Sequence, residues 1–243
     1  MITTGKIVGV SLGPGDPQLI TLKGLLALQR ADKIYYPATA GAAGRPAESP
    51  RASYSLAILQ HYDLDKSRLF PVLLEMSADR SFNIAAYSDA FNKMKADCEN
   101  GLTVAFVSEG DISFYSTFIH LLRLIHAAGV PVEIIAGVSS FLAACAAHAE
   151  PLAVLHDRVA IIPLLDDSSE LEYHLLHFHT VVLIKARRAA TLVAPFVEAG
   201  KATMLYSERL GTAEEFICRD PAVIATQEPP YFSLIILKSN LCV

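Results

Sequence analysis

The stretch "VGVSLGPGDPQLITLKG", residues 8–24, opens as a small apolar strand, turns through Gly13-Pro14-Gly15, and continues as a helical pattern. A turn of that shape often holds a phosphate. This one argues against it. A dinucleotide fingerprint needs G-x-G-x-x-G, whereas the glycines here are Gly9, Gly13 and Gly15. A P-loop ends in G-K-[ST], whereas Gly15 is followed by Asp16-Pro17. Pro14 removes an amide that a phosphate would use, and Asp16 adds a like charge. As local structure, Asp16 suits a helix N-cap and Pro17 a first helical position.

The pattern that begins here runs on through the first half. "KIVGVSL", "DKIYYP" (stopped by Pro37), "RLFPVLLEM", "LTVAFVSEGD" and "VPVEIIAG" read as strands. "QLITLKGLLALQRA", "SYSLAILQHY", "FNIAAYSDAFNKMKADCENG" and "FYSTFIHLLRLIHAAG" read as the helices between them. Strand–helix alternation of this kind predicts a parallel α/β sheet. After about residue 137 the strands "RVAIIPLL", "TVVLIKAR", "ATMLYSERL", "EEFICRD" and "YFSLIILK" alternate with less regular helices, which predicts a mixed sheet. The expected organisation is two α/β domains, 1–137 and 138–243, touching along a cleft.

With 243 residues, 52% apolar and 19% charged, the chain is long enough and apolar enough for a sizeable core. A net charge of −5 and the lack of a basic run argue against nucleic acid. The longest apolar runs are too short to span a bilayer, and no signal-peptide pattern opens the chain. Cys98, Cys145, Cys218 and Cys242 form no C-x-x-C pair, as expected of reduced thiols in a cytoplasmic protein. His174, His177 and His179 in "HLLHFH" read as a polar helix face rather than as metal ligands, so no metal is expected.

In open α/β sheets, ligands bind beyond the carboxyl ends of the strands. Three loops fall there: "SLGPGDP", "SEGDISFYST" and "AGVSS". In the second, Glu109 and Asp111 flank Gly110, and Tyr115, Ser116 and Thr117 add hydroxyls. Such carboxylates accept hydrogen bonds from ribose hydroxyls or an ammonium, or simply cap the next helix. No G-x-S-x-G hydrolase elbow is present. Together the loops suit a ligand without phosphate, such as the sulfonium cofactor S-adenosylmethionine.

"VGVSLGPGDPQLITLKGLLALQRADKIYYP", "VSEGDISFYSTF" and "VEIIAGVSSFLAACA" together resemble the tetrapyrrole (corrin/porphyrin) methylase family. The likeness is close through the N-terminal half and looser through "TVVLIKARR", "YSERLGTAEE" and "YFSLIILK". Within the family, the Tyr36-Pro37 pair, Glu109 and "FYST" are most similar to the branch that methylates carbon 20 of precorrin-2, or of its cobalt counterpart, towards cobalamin. The resemblance implies a homodimer that holds S-adenosylmethionine between two domains and releases S-adenosylhomocysteine. It implies cofactor contacts at Pro14, Glu109, Gly110, Asp111, Phe114, Tyr115, Ser139, Ser140, Ile184, Lys185 and Ser233. Where the family has Gly-Asp-Pro, this chain has Gly110-Asp111-Ile112, which predicts a less rigid loop. A tetrapyrrole substrate carries many carboxylates, for which Arg45, Arg51 and Arg80 are candidate grips. Tyr36, at the end of the second strand, is the candidate polar group beside the macrocycle. The alternatives are methylation at another ring position and a non-catalytic binding protein.

Overall fold

The computed structural model describes residues 5–40, 53–75, 81–186, 189–226 and 229–242. The chain packs as two compact units, 1–139 and 140–243.

The first unit is built on a parallel sheet of β1 (Lys6–Ser11), β2 (Lys33–Thr39), β3 (Leu69–Leu74), β4 (Thr103–Ser108) and β5 (Val132–Ile135). Their order is β3-β2-β4-β1-β5. The helices between them are α1 (Leu22–Arg30), α2 (Tyr54–Leu59), α3 (Ser81–Glu99) and α4 (Phe118–Ala127). Alternate residues of each strand feed two cores, as a period of two requires. Ile7, Tyr35, Val104 and Phe106 meet Met94 of α3 and Leu121 of α4 on one face. Val8, Val10, Ile34 and Ala105 meet Leu28 of α1 and Ile58 of α2 on the other. A sheet covered on both faces needs strands apolar throughout, which is why "VAFV" in β4 carries no polar residue.

Two prolines mark where backbone donors are dispensable. Pro71 lies in β3, at the edge of the sheet, where a missing N–H leaves no ladder incomplete. Pro37 does not stop β2, contrary to expectation. Pairing with β4 runs only from Lys33 to Tyr35, and beyond it Pro37 pairs with Val72 of β3 alone. The helical pattern after the opening turn is also divided. A short 3₁₀ turn, Pro17–Leu19, is capped by Asp16, and α1 begins only after Thr21, whose hydroxyl accepts from the Gly24 amide at 3.1 Å. "FYST" lies outside α4, which starts at Phe118; the Ser116 hydroxyl accepts from the Phe118 amide at 3.2 Å.

The second unit holds a mixed sheet of β6 (Val159–Ile162), β7 (Thr180–Ile184), β8 (Ala202–Glu208), β9 (Phe216–Cys218) and β10 (Ser233–Ser239), ordered β6-β7-β10-β8-β9. β6 and β7 are parallel, and β10 runs antiparallel to both β7 and β8. Its helices are α5 (Ser140–Ala147), α6 (Ser168–His177), α7 (Ala190–Glu198) and α8 (Pro221–Thr226). Leu171 and Leu175 of α6, Val193 of α7 and Ile224 of α8 close one core over Val181, Met204 and Ile235. All four cysteines are free thiols. Among the described residues no helix is long and apolar enough to cross a membrane.

Glu133 of β5 joins Lys6 of β1 and Lys23 of α1, each at 2.7 Å. The hydrogen bond from Lys23, then that from Lys6, holds its carboxyl down at about 2, against an ordinary value of 4.5. A carboxylate depressed in the folded state stabilises above its unfolded pKa and loses that contribution as pH falls through the folded one. We expect the urea midpoint to carry a component that fades between pH 4.5 and about 2. A Lys6→Met/Lys23→Met variant, unfolded across that range, should lack it.

Candidate functional site

β4, β1 and β5 are neighbours, and their carboxyl ends are level: Ser11 pairs with Ser108, and Val10 with Ile135. The three loops singled out in the sequence therefore leave one edge of one sheet side by side.

They are bonded to one another. Gly13 and Gly110 exchange backbone hydrogen bonds, Gly110 N to Gly13 O at 2.7 Å and Gly13 N to Gly110 O at 3.2 Å. Asp111 Oδ2 accepts from the Gly137 amide at 2.8 Å, while Oδ1 accepts from the Ser113 amide and hydroxyl. Burial alone would raise the Asp111 pKa; the bonds from Ser113 and Gly137 outweigh it and hold the carboxyl below its ordinary value. The buried Ser11 hydroxyl donates to the Ile135 carbonyl at 2.7 Å and accepts from the Ile112 amide at 2.8 Å. Ile112 thus uses the backbone donor that a proline would lack, and its side chain is buried in the core beside Phe118. The departure from the family pattern thus adds a bond between the second loop and β1.

The first loop is also anchored. Tyr62 donates to the Pro17 carbonyl at 2.7 Å, and burial, then the Asp16 charge, pushes its phenol up to about 12. Asp16 accepts from the Gln18 amide at 2.8 Å, and Lys23 of α1 is held by Glu133 rather than left for a phosphate. Glu109 Oε1 accepts from the amide and hydroxyl of Ser55 in α2, at 2.9 and 2.6 Å.

The backbone at the centre is specialised. Gly110 has φ +66°, and a Cβ built there would meet nothing within 4 Å, so open space lies against it. At Gly137 a Cβ would come within 2.4 Å of Ser11 Cβ and 2.9 Å of the Gly110 carbonyl oxygen. Tyr115 has φ +48°, is 48% exposed, and meets Phe114 edge-on with ring centroids 4.7 Å apart. An exposed tyrosine on a left-handed backbone, set edge-on against a half-buried phenylalanine, suits packing against an apolar or cationic ligand.

Pro14, Glu109, Gly110, Asp111, Phe114, Tyr115 and Ser139 thus fall on loops of this one edge; Ser139 closes the first unit and Ser140 begins α5. In the second unit, Ile184, Lys185 and Ser233 gather at one end of the β7–β10 pair, where Ile184 faces Leu234. Lys185 has φ +56° and its ammonium lies 5.5 Å from the Tyr231 ring centroid. Ser233 is buried and donates to the Pro230 carbonyl at 2.7 Å. Tyr36 is only 6% exposed, packed in the core on the α1–α2 face of the sheet, and burial raises its pKa. Arg45, Arg51 and Arg80 lie outside the described residues. The histidines of "HLLHFH" have separate partners: Glu170 for His174, the Tyr173 carbonyl for His177, and the Arg158 amide for His179. Among the described residues no group of three His, Cys, Asp or Glu could hold a metal ion.

Sequence reasoning missed Ser11, Ser55 and Gly137. The signal for Ser11 was present: a lone hydroxyl in an otherwise apolar strand bound for a doubly covered sheet.

Solved structures share the fold. A cobalt precorrin-4 methyltransferase superposes with a TM-score of 0.71 at 21% identity, covering 96% of this chain and 94% of that one. Uroporphyrin-III C-methyl transferase from Thermus thermophilus, complexed with S-adenosylhomocysteine, gives 0.65 at 21% identity, covering 96% and 97%. The chain therefore has the two-domain architecture of tetrapyrrole methyltransferases. Residues 6–223 match the model of the tetrapyrrole (corrin/porphyrin) methylases, and the chain belongs to that family. Among its relatives are a precorrin-2 C(20)-methyltransferase from Sinorhizobium, 31% identical over 97% of this chain and 96% of that protein, and a cobalt-precorrin-2 C(20)-methyltransferase from Salmonella typhimurium, 31% identical over 97% of each.

The two glycines predict different losses. Gly110→Ala should cost about 1–2 kcal/mol, from its left-handed backbone alone. Gly137→Ala must push Ser11 and the Gly110 carbonyl apart, and should cost about 1–3 kcal/mol through overpacking. Urea unfolding measures both. Only the second should also raise the exchange rate of the Ile112 amide proton.

Proposed function

We propose that this chain transfers a methyl group from S-adenosylmethionine to carbon 20 of precorrin-2 or its cobalt counterpart, in cobalamin biosynthesis. The observation that carries the reading is the joined edge of β4, β1 and β5. Its carboxylates Asp16, Glu109 and Asp111 disfavour phosphate, and its open space lies beside Gly110. The specific reaction follows from relatives alike over nearly their whole length.

The residues present fit the cofactor. A sulfonium with an ammonium-bearing tail meets carboxylates and the Phe114–Tyr115 pair, while Lys23 is already held by Glu133. When bound, the cofactor supplies a methyl already activated by positive sulfur. The chain's task is then alignment and exclusion of water. Gly13, Gly110 and Gly137 let the backbone approach closely, and Phe114 with Tyr115 offers the apolar wall. Pro14, Glu109 to Asp111, Ser139 and Ser140 from the first three loops, and Ile184, Lys185 and Ser233, are the proposed cofactor contacts. Asp111 serves chiefly by pinning the second loop to the third. The tetrapyrrole carbon is electron-rich enough to attack unaided, and loses its proton after the new carbon–carbon bond forms. Tyr36, buried in the core and neutral, is a poor proton acceptor, so we assign it no proton transfer. Arg45, Arg51 and Arg80 are the proposed grips for substrate carboxylates. A cytoplasmic homodimer completes the reading; exposed Ile119 on α4 supports a subunit contact there.

Calorimetry should show S-adenosylhomocysteine binding in the micromolar range, on the order of −8 kcal/mol, and none for NAD. Methylation of metal-free and cobalt-loaded precorrin-2, with the position read by NMR, should place the methyl at carbon 20. A methyl elsewhere would reassign the branch, and no transfer on either substrate would overturn the reading. Arg45→Ala/Arg51→Ala should raise KM for the tetrapyrrole and leave that for the cofactor unchanged.

A further inference from the structure

We infer that Ser11, which touches no expected ligand position itself, is a positioning residue that sets cofactor affinity, and that it does so through the amide of Ile112. The inference rests on the methyltransferase reading above.

The hydroxyl stands where three segments meet. It has one proton, donated to the Ile135 carbonyl at the end of β5, and a lone pair that receives the Ile112 amide of the second loop. Ser11 is the last residue of β1, so a single oxygen spans all three adjacent strand ends. It is wholly buried, so its removal leaves the Ile112 donor without this partner.

Its neighbours make the placement tight. Gly137 approaches so closely that a Cβ there would lie 2.4 Å from Ser11 Cβ. One residue before Ile112, Asp111 binds the Gly137 amide; one further back, Gly110 pairs with Gly13. The Ser11–Ile112 bond therefore fixes the 110–112 backbone against both other loops, two residues from Gly110 and the open space against it. Loss of that bond frees a segment that carries two of the proposed cofactor contacts, Gly110 and Asp111, while leaving the sheet pairing intact. Residues 11 and 112 are thus coupled: the serine oxygen is the acceptor that the Ile112 amide uses. Proline at 112 would remove the donor.

The test is a double-mutant cycle of Ser11→Ala and Ile112→Pro, with Ile112→Val as the control that keeps the amide. Readouts are S-adenosylhomocysteine Kd by calorimetry, Tm, KM and kcat, and exchange of the Ile112 amide proton. Ser11→Ala should deprotect that amide and weaken binding by about tenfold, the effect of one orphaned buried donor. It should raise KM for the cofactor more than it lowers kcat. Ile112→Val should bind as the wild type does. In the Ser11→Ala background, Ile112→Pro should add little. A Kd unchanged in Ser11→Ala, even with a lowered Tm, would show a purely structural serine and overturn the inference. Additive penalties would also overturn it. If Ile112→Pro does not fold, Ser11→Ala with amide exchange decides alone. Failure of the wild type to bind S-adenosylhomocysteine would instead overturn the reading beneath it.

Discussion

One buried oxygen, Ser11 Oγ, governs how the carboxyl edge of the first sheet is assembled. A parallel sheet supplies no constraint of its own at its strand ends, because the ladder stops there and each chain is free to leave. Here β1, β4 and β5 end level, and the hydroxyl joins the first and last directly and the second through the Ile112 amide. The exchange between Gly13 and Gly110 and the Asp111–Gly137 bond extend this joint outward. They are packed together: Gly137 must lack a side chain for Ser11 to sit where it does, and its amide donates to Asp111, next to Ile112.

This arrangement separates two jobs that a sequence motif runs together. The carboxylates of "SEGD" and "GPGDP" look like ligand contacts, yet much of their capacity is spent within the protein. Asp16 caps the turn after it, Glu109 holds Ser55 of α2, and Asp111 bridges two loops. What the joint leaves facing outward is backbone, the space beside Gly110, and the Phe114–Tyr115 pair. Shape is then set by rigid loops, while the negative charge that excludes phosphate remains in place. Such a division suits methyl transfer, where the reactive group arrives already activated and geometry is the chief demand on the protein.

Much of the architecture was legible in the residues. The doubly covered sheet shows in "KIVGVSL" and "LTVAFV", because strands buried on both faces must be apolar throughout. Asp16-Pro17 announced its own capped turn, because a cap is a contact between residues two or three apart. The misjudged boundaries share another cause. Pro37 continues β2 because its other neighbour, β4, has already stopped pairing, and only strand order reveals that. Thr21 begins α1 rather than riding within it, since the same apolar spacing fits a helix and a turn followed by one.

The alternation of strand and helix, the turn chemistry that disfavours phosphate, and the family to which the three motifs are similar are all written in the residues. These depend on local chemistry: side-chain period, a missing proline amide, a carboxylate beside glycine. Folding in three dimensions sets the rest: that the three loops are adjacent, that the Ile112 amide is bonded to Ser11, that Tyr36 lies in the core, and that Ser11 joins what the motifs merely list. Those facts rest on contacts between residues about a hundred positions apart, and the strand order β4-β1-β5 that creates them is a property of packing, not of any one segment.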